Sequence, residues 1–231
     1  NDLVLTKNAQ PAMLVHSTAV YRVIQSRLGE VALAAGHSLG EFSAHVAAGT
    51  LDFAAAVLTV RLRGQLMYAA GIERLGTMAA VIGLDDAAVV SVCERAEKEA
   101  GVCVPANFNA AGQVVISGDL AGVDRAMELA MEVGAKRVVR LSVSGAFHSR
   151  LMAPAAVEFE TWLERQSFYD PAFPIIGNVT AEPVSTGDAA RALLVRQLTR
   201  PVLWAASVLN MAKSGVDRFL EIGPGSVLRG L

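Results

Sequence analysis

Apolar positions along the chain change their spacing several times, and each change predicts a new element. Ala12, Leu14, Val15, Ala19, Val23 and Ile24 recur at helical intervals between Pro11, which a first helical turn tolerates, and Gly29, which can stop a helix. The run Val31 to Ala35 is continuously apolar or small, as in a buried strand, and Glu41 to Ala48 returns to helical spacing. Asp52 predicts the N-cap of a second long helix, continuing to about Ala69 and ended by Gly71. From about Thr77 to Val143 the rhythm is different. Met78 to Leu84 predicts a strand, Asp85 to Ala100 a capped helix and Val102 to Phe108 a strand; the turn Asn109 to Gly112 leads to a hairpin partner, Gln113 to Gly118. Val123, Ala126, Met127, Ala130 and Val133 mark one face of a helix, and Arg137 to Val143 is a last strand.

That order, βαββαβ, is the ferredoxin-like unit of the split type. Beyond it the pattern predicts helices around 155–165, 188–198 and 203–214, a short strand at 174–177, and a strand at 218–222 before Gly223-Pro224-Gly225. The expected fold class is therefore α/β: an α/β-hydrolase-like large domain with a parallel sheet, residues 1–73 and 143–231, plus an inserted ferredoxin-like small domain, residues 74–142. A ligand site is expected in the cleft between the two, since pockets favour domain interfaces.

Composition narrows the class of partner. Hydrophobic residues make up 53% of 231 positions and charged residues 18%, which suits a globular chain with much buried surface. Lys plus Arg total 20 against 22 Asp plus Glu, and a net charge of -2 argues against nucleic acid, so an anionic partner would need a local basic patch. Lys136, Arg137 and Arg140, with Arg191, Arg196 and Arg200, are candidates for such a patch, or simply solvated faces. The two cysteines, Cys93 and Cys103, lack metal-ligand spacing and read as small core residues in a reducing compartment. No apolar stretch is long enough for a bilayer, and the start Asn1-Asp2-Leu3-Val4 lacks the pattern of a signal peptide, so a cytoplasmic protein is expected.

The chemistry-bearing feature lies between the Val31 run and the following helix. Gly36-His37-Ser38-Leu39-Gly40 is Gly-x-Ser-x-Gly in a strand-to-helix context, a nucleophile elbow that lifts the Ser38 oxygen clear of the backbone, with the two glycines removing side chains that would collide. The bland alternative is an incidental glycine-rich turn, and agreement of the flanking elements on both sides favours the nucleophile. The Leu39 N–H, unpaired at the helix start, is the expected oxyanion donor. A serine nucleophile needs a base, and four histidines are available. His16 and His45 fall inside predicted helices, where a satisfied core or surface residue is expected, and His37 should project to the other side of the strand from Ser38. His148, in the loop Ser144-Gly145-Ala146-Phe147-His148-Ser149, is the candidate base.

Several segments together carry a family resemblance. Gly36 to Ser43, Arg61-Leu62-Arg63-Gly64, Asn107-Phe108-Asn109 with Gly112 to Gly118, Gly145 to Ser149 and Glu221 to Gly225 occur in the order seen in malonyl-CoA:acyl carrier protein transacylases, and the chain also resembles acyltransferase domains of polyketide synthases. The resemblance implies transfer of a malonyl group from malonyl-CoA to the phosphopantetheine thiol of acyl carrier protein through an acyl-Ser38 intermediate, with no tightly bound cofactor or metal. It implies that His148 is oriented by the backbone carbonyl of Gln197 and that Arg63, sharing a helical face with Val60 and Met67, binds the malonyl carboxylate. Met67, Phe147, Asn107 and Asn109 are the further substrate-side positions, Phe147 narrowing the pocket beside the malonyl α-carbon. Family members carry an upstream strand with Phe-Pro-Gly-Gln-Gly whose glutamine contributes to the oxyanion hole, and the chain is expected to be part of a longer polypeptide. Two other functions share some of these residues: an α/β-type serine hydrolase or thioesterase, and a non-catalytic docking domain of a synthase.

Overall fold

The structure, a computed structural model, describes residues 2–231; Asn1, the first residue of the stretch read for a targeting signal, lies outside them. Helix α1 (Thr6–Ile24) begins well before Pro11, so the proline sits inside the helix and not in its first turn. Proline has no N–H to give the carbonyl one turn earlier. That carbonyl, of Lys7, instead accepts from Arg61 Nη1 at 2.8 Å. Arg61 belongs to helix α3 (Phe53–Glu73), whose N-cap Asp52 accepts from the Ala54 and Ala55 N–H groups as expected. The two helices lie in close contact at Gly64, where a Cβ would come within 2.7 Å of Lys7 Cα.

Gly71 does not end α3, contrary to expectation. The helix runs through it to Glu73, and a Cβ there would sit 2.0 Å from the Ser144 carbonyl oxygen, so this glycine serves a close approach of backbone to backbone. The misreading is physical in origin: glycine marks both stops and contacts, and only the neighbour distinguishes them.

One sheet carries the elbow. Strand β1 (Ala34–Ala35) pairs in parallel with β6 (Ile175–Ile176), and β7 (Pro183–Val184) adds to β6 antiparallel. The expected strand 31–35 is confined to its last two residues because 31–33 have no ladder partner among the described residues. The expected strand 218–222 is irregular for the same reason, with Phe219 and Leu220 exposed. Around this sheet stand α1, α2 (Leu39–Ala47), α3, α6 (Ala153–Leu163), α7 (Gly187–Gln197) and α8 (Trp204–Lys213). Leu14, Phe42, Val60, Met67, Phe159 and Leu194 meet in a common apolar core.

The second sheet has the order β3-β4-β2-β5, built from β2 (Gly76–Ile82), β3 (Cys103–Ala110), β4 (Gln113–Asp119) and β5 (Arg137–Arg140), with every pair antiparallel. With α4 (Asp86–Glu99) after β2 and α5 (Leu120–Glu132) after β4, this is the split βαββαβ topology. Alternation decides its faces: Ala79, Val81, Val114 and Ile116 turn to α4 and α5, while Met78, Ala80 and Val115 turn to the other side and meet Phe147. Cys93 and Cys103 are free thiols inside the first of these cores, the Cys103 S–H donating to Cys93 Sγ at 3.7 Å. The sheet joins the rest of the chain through β3, where Phe108 N–H donates to the Val202 carbonyl and Val202 N–H to that of Ala106, both at 2.9 Å. No helix among the described residues is long and apolar enough to cross a membrane.

Candidate active site

The turn from β1 into α2 forces Ser38 to φ 50° and ψ −104°, a strained backbone for a residue with a Cβ. Gly36 makes that turn possible, since a Cβ on it would fall 1.9 Å from the Gly40 carbonyl carbon. Gly40 is different: a Cβ there meets nothing within 4 Å, so only the first glycine of the elbow is sterically required. Asn178, just past β6, clamps the turn by accepting the Ser38 N–H through Oδ1 and donating Nδ2–H to the Gly36 carbonyl, each at 2.7 Å. The Leu39 N–H opens α2 and therefore has no helical acceptor.

His148 also has a positive φ, 56°, which turns its ring back toward the elbow. Its Nε2 lies 2.8 Å from Ser38 Oγ, and its Nδ1 lies 2.8 Å from the carbonyl oxygen of Gln197. A carbonyl can only accept, so Nδ1 carries the proton and Nε2 presents a lone pair to the serine hydroxyl. The acceptor is a carbonyl of the last turn of α7, one of the groups that a helix leaves unpaired at its end. Burial, reinforced by the nearby Arg63 charge, pulls the imidazole down to about 3, so the ring is a neutral base throughout the physiological range.

Arg63 projects from α3 into the same centre and is 1% exposed. Its Nη1 donates to Gln10 Oε1 at 2.7 Å, and its Nη2 to Gln197 Oε1 at 2.8 Å and Ser38 Oγ at 3.1 Å. The Nε hydrogen has no partner among the described residues. Gln197 continues the network, its Nε2 donating to the Ser38 carbonyl at 3.0 Å and to Glu41 Oε2 at 2.5 Å. Glu41, also 1% exposed, stands in the first turn of α2. Desolvation raises its carboxyl to about 7, opposed by the Gln197 and Asn178 hydrogen bonds and then by the Arg63 charge, and lowers the Arg63 guanidinium to about 10, opposed by the charge of Glu41. A serine, a neutral histidine with a fixed tautomer, and a buried guanidinium at the serine oxygen form a centre suited to covalent acyl transfer.

The Acyl transferase domain family profile matches residues 1–230. This chain belongs to the acyl transferase domain family. It is 48% identical over its whole length to the malonyl CoA-acyl carrier protein transacylase of Escherichia coli K12, covering 74% of that protein, and 44% identical to the enzyme of that name from Bacillus subtilis, covering 73%. Among solved structures, an acyl carrier protein S-malonyltransferase from Vibrio cholerae superposes with TM-score 0.96 at 44% identity, covering all of this chain and 75% of that one. A malonyl-transacylase solved in complex with a type II polyketide synthase acyl-carrier protein gives 0.95 at 43% identity, with 74% of that chain covered.

The remaining candidates of this acyl transferase chain are distributed around the centre. Met67 is buried, its Sδ accepting from Gln10 Nε2 at 3.3 Å, and Phe147 packs into both the large core and the inner face of the second sheet. Asn109 is engaged by the elbow instead of facing open space: its Oδ1 accepts from His37 Nε2 at 2.8 Å. His37, which also packs on Trp204 with centroids 5.6 Å apart, thus clasps the elbow to β3. Asn107 is buried beside Val202, where the second sheet joins the chain. A cleft of about 370 Å³ opens onto His148 between β3 and residues 199–201, with Arg150 and Arg200 at its edge.

The histidine expected to be satisfied inside α2 is not. His45 is 0% exposed, neither ring nitrogen has a partner among the described residues, and burial lowers it to about 4. His16 lies exposed on α1. Of the cations proposed as a basic patch, Arg140 pairs with Asp124 and Arg191 with Asp188, which weakens both as free positive charges. Gln10, Glu41, Asn178 and the side chain of Gln197 were not legible as site residues. Only Glu41 lay within a quoted motif, and an acid in a first helical turn is ordinarily a solvated partner of the helix dipole.

Proposed function

We propose that this chain transfers a malonyl group from malonyl-CoA to the phosphopantetheine thiol of an acyl carrier protein. The single observation that carries the reading is Arg63: a buried guanidinium 3.1 Å from the Ser38 oxygen, hydrogen-bonded to neutral acceptors alone, is placed to meet an anion carried by an acyl group on that oxygen. Ser38 Oγ gives its proton to His148 Nε2 and attacks the thioester carbonyl, with the Leu39 N–H facing the oxyanion. The C–S bond breaks, and His148 returns the proton to the departing sulfur of coenzyme A. In the second half the carrier thiol gives its proton to His148, its sulfur takes the acyl carbon, and Ser38 regains the proton. Once Ser38 is acylated, the Nη2–H that faced its hydroxyl is released to the malonyl carboxylate, which a planar fork can bind through both oxygens. Met67 and Phe147 line the acyl pocket in this reading. No tightly bound cofactor takes part, and the reaction belongs in the cytoplasm.

Malonyl-CoA should add one malonyl mass to the protein, located on Ser38 by peptide mapping and discharged by added carrier protein. Ser38→Ala should lose the adduct, a drop of at least about ten-thousandfold in loading, and His148→Ala nearly as much, because the two act as one unit. Release by water at a rate indifferent to carrier protein would favour a hydrolase, and an unlabelled wild-type chain a docking module.

A further inference from the structure

The charges that surround Arg63 are arranged in an unusual way. Its three hydrogen-bond acceptors, Gln10 Oε1, Gln197 Oε1 and Ser38 Oγ, are all neutral. The acid whose charge, when ionised, opposes the desolvation of Arg63 is Glu41, and no ion pair within 4.0 Å joins the two among the described residues. Between them stands the Gln197 amide. Its Nε2 donates to Glu41 Oε2 at 2.5 Å and to the Ser38 carbonyl at 3.0 Å, with Asn178 Oδ1 at 3.4 Å, and its Oε1 faces Arg63 Nη2 at 2.8 Å. The Asn178 N–H approaches the same Glu41 oxygen at 3.4 Å.

A direct carboxylate–guanidinium pair would occupy the planar fork and spend its positive potential on Glu41. With the amide interposed, Glu41 acts on the buried charge from a distance and the fork is left short of anionic partners at Ser38. Glu41 accepts the shortest of the bonds that fix the amide orientation, the Ser38 carbonyl and Arg63 Nη2 holding the others, and in the reversed orientation the NH₂ would oppose the Arg63 N–H groups. We propose that Glu41 is a positioning residue for acyl selectivity: acting through the Gln197 amide, it aims Arg63 at the acyl group on Ser38 and so favours acyl groups that end in a carboxylate. This rests on the malonyl-transfer reading, and the role is separable from the Gln197 backbone carbonyl that orients His148.

The test is a double-mutant cycle on Glu41→Gln and Gln197→Met, both of which keep the backbone carbonyl, read as the ratio of malonyl-CoA to acetyl-CoA loading by intact mass. A hydrogen bond to a charged group supports discrimination of about tenfold to a hundredfold, so each single variant should cut the ratio by that factor, with acetyl loading falling less than malonyl loading. The double variant should lower the ratio no further than Gln197→Met alone. Equal losses for the two thioesters, or losses that add in the double variant, overturn the proposal. If Glu41→Gln fails to fold, Gln197→Met decides alone, since an unchanged ratio there removes the relay. Absence of a malonyl adduct on the wild-type chain would overturn the function reading, and this inference with it, whereas an adduct with unaltered ratios in the variants overturns only the inference.

Discussion

The two walls of the cleft are held together by different physics. On one side, β2 to β5 with α4 and α5 close on Ala79, Val81, Val114, Ile116, Val123, Leu129 and their neighbours, an apolar layer. On the other, strands of only two residues each carry the elbow, and the interior behind them holds Gln10, Glu41, Arg63, His148, Asn178 and Gln197. An apolar core adapts to small volume changes residue by residue. A buried polar network does not, because each unpaired member keeps its full desolvation cost. The first wall is thus a support whose parts fail one at a time, and the second is a charge arrangement whose parts fail together.

Breaking the second wall at its backbone should have the largest effect. Gly36→Ala drives a Cβ into the Gly40 backbone at 1.9 Å, so a destabilisation above about 4 kcal/mol is expected, seen as loss of soluble folded protein. Gly40→Ala is the matched control: its Cβ meets nothing within 4 Å, it lies inside α2, and its melting temperature should stay level or rise. Loss of folding in both would show that the turn, and not the single contact at Gly36, is the constraint.

The first wall should lose stability without losing chemistry. Leu129→Ala removes a fully buried side chain at a cost of about 3 kcal/mol in denaturant unfolding, while the ratio of malonyl to acetyl loading in the folded fraction is unchanged. An altered ratio would mean that the two walls are coupled through Phe147, which touches both cores.

The smallest effect sharpens the contrast through pH. Burial lowers His45 to about 4 in the folded chain, below its ordinary value of 6.5, so the unfolded chain binds more protons between those values. The stability associated with the neutral ring is complete above pH 6.5 and is lost as pH falls toward about 4. From pH 7.5 to pH 5 this amounts to about 2 kcal/mol. His45→Leu should remove that part of the acid sensitivity, measured as a smaller difference between urea unfolding curves at the two pH values. His148 has the same sign but is present in both proteins and cancels, as does Glu41, whose raised carboxyl acts in the opposite direction. Identical pH dependence in the two proteins would mean that His45 finds a partner in solution.

How much the chain reveals differs between the walls for the same reason. The four strands and two helices of the second sheet were legible to within a few residues, since each apolar face follows from its own periodicity and both helices open on a capping aspartate, Asp85 or Asp119. Ser38, His148, Arg63 and the Gln197 carbonyl could be named, but from a motif and a family resemblance, and their meeting distances had no local basis. Pro11 and Gly71 were misread because their meaning depends on Arg61 and on Ser144, each far away in the chain.

What the sequence by itself determined is therefore local: the elbow pentapeptide, the caps, the hairpin at Gly112 and the order of the inserted unit, all set by interactions within a few residues. Tertiary structure alone decided that Glu41, an ordinary first-turn acid by its position, is sealed from water, and that the amide of Gln197 stands between it and Arg63. The physical reason is that a charged side chain's energy depends on the solvent it loses and the partners it gains, and both are supplied by segments that meet only when the chain is folded.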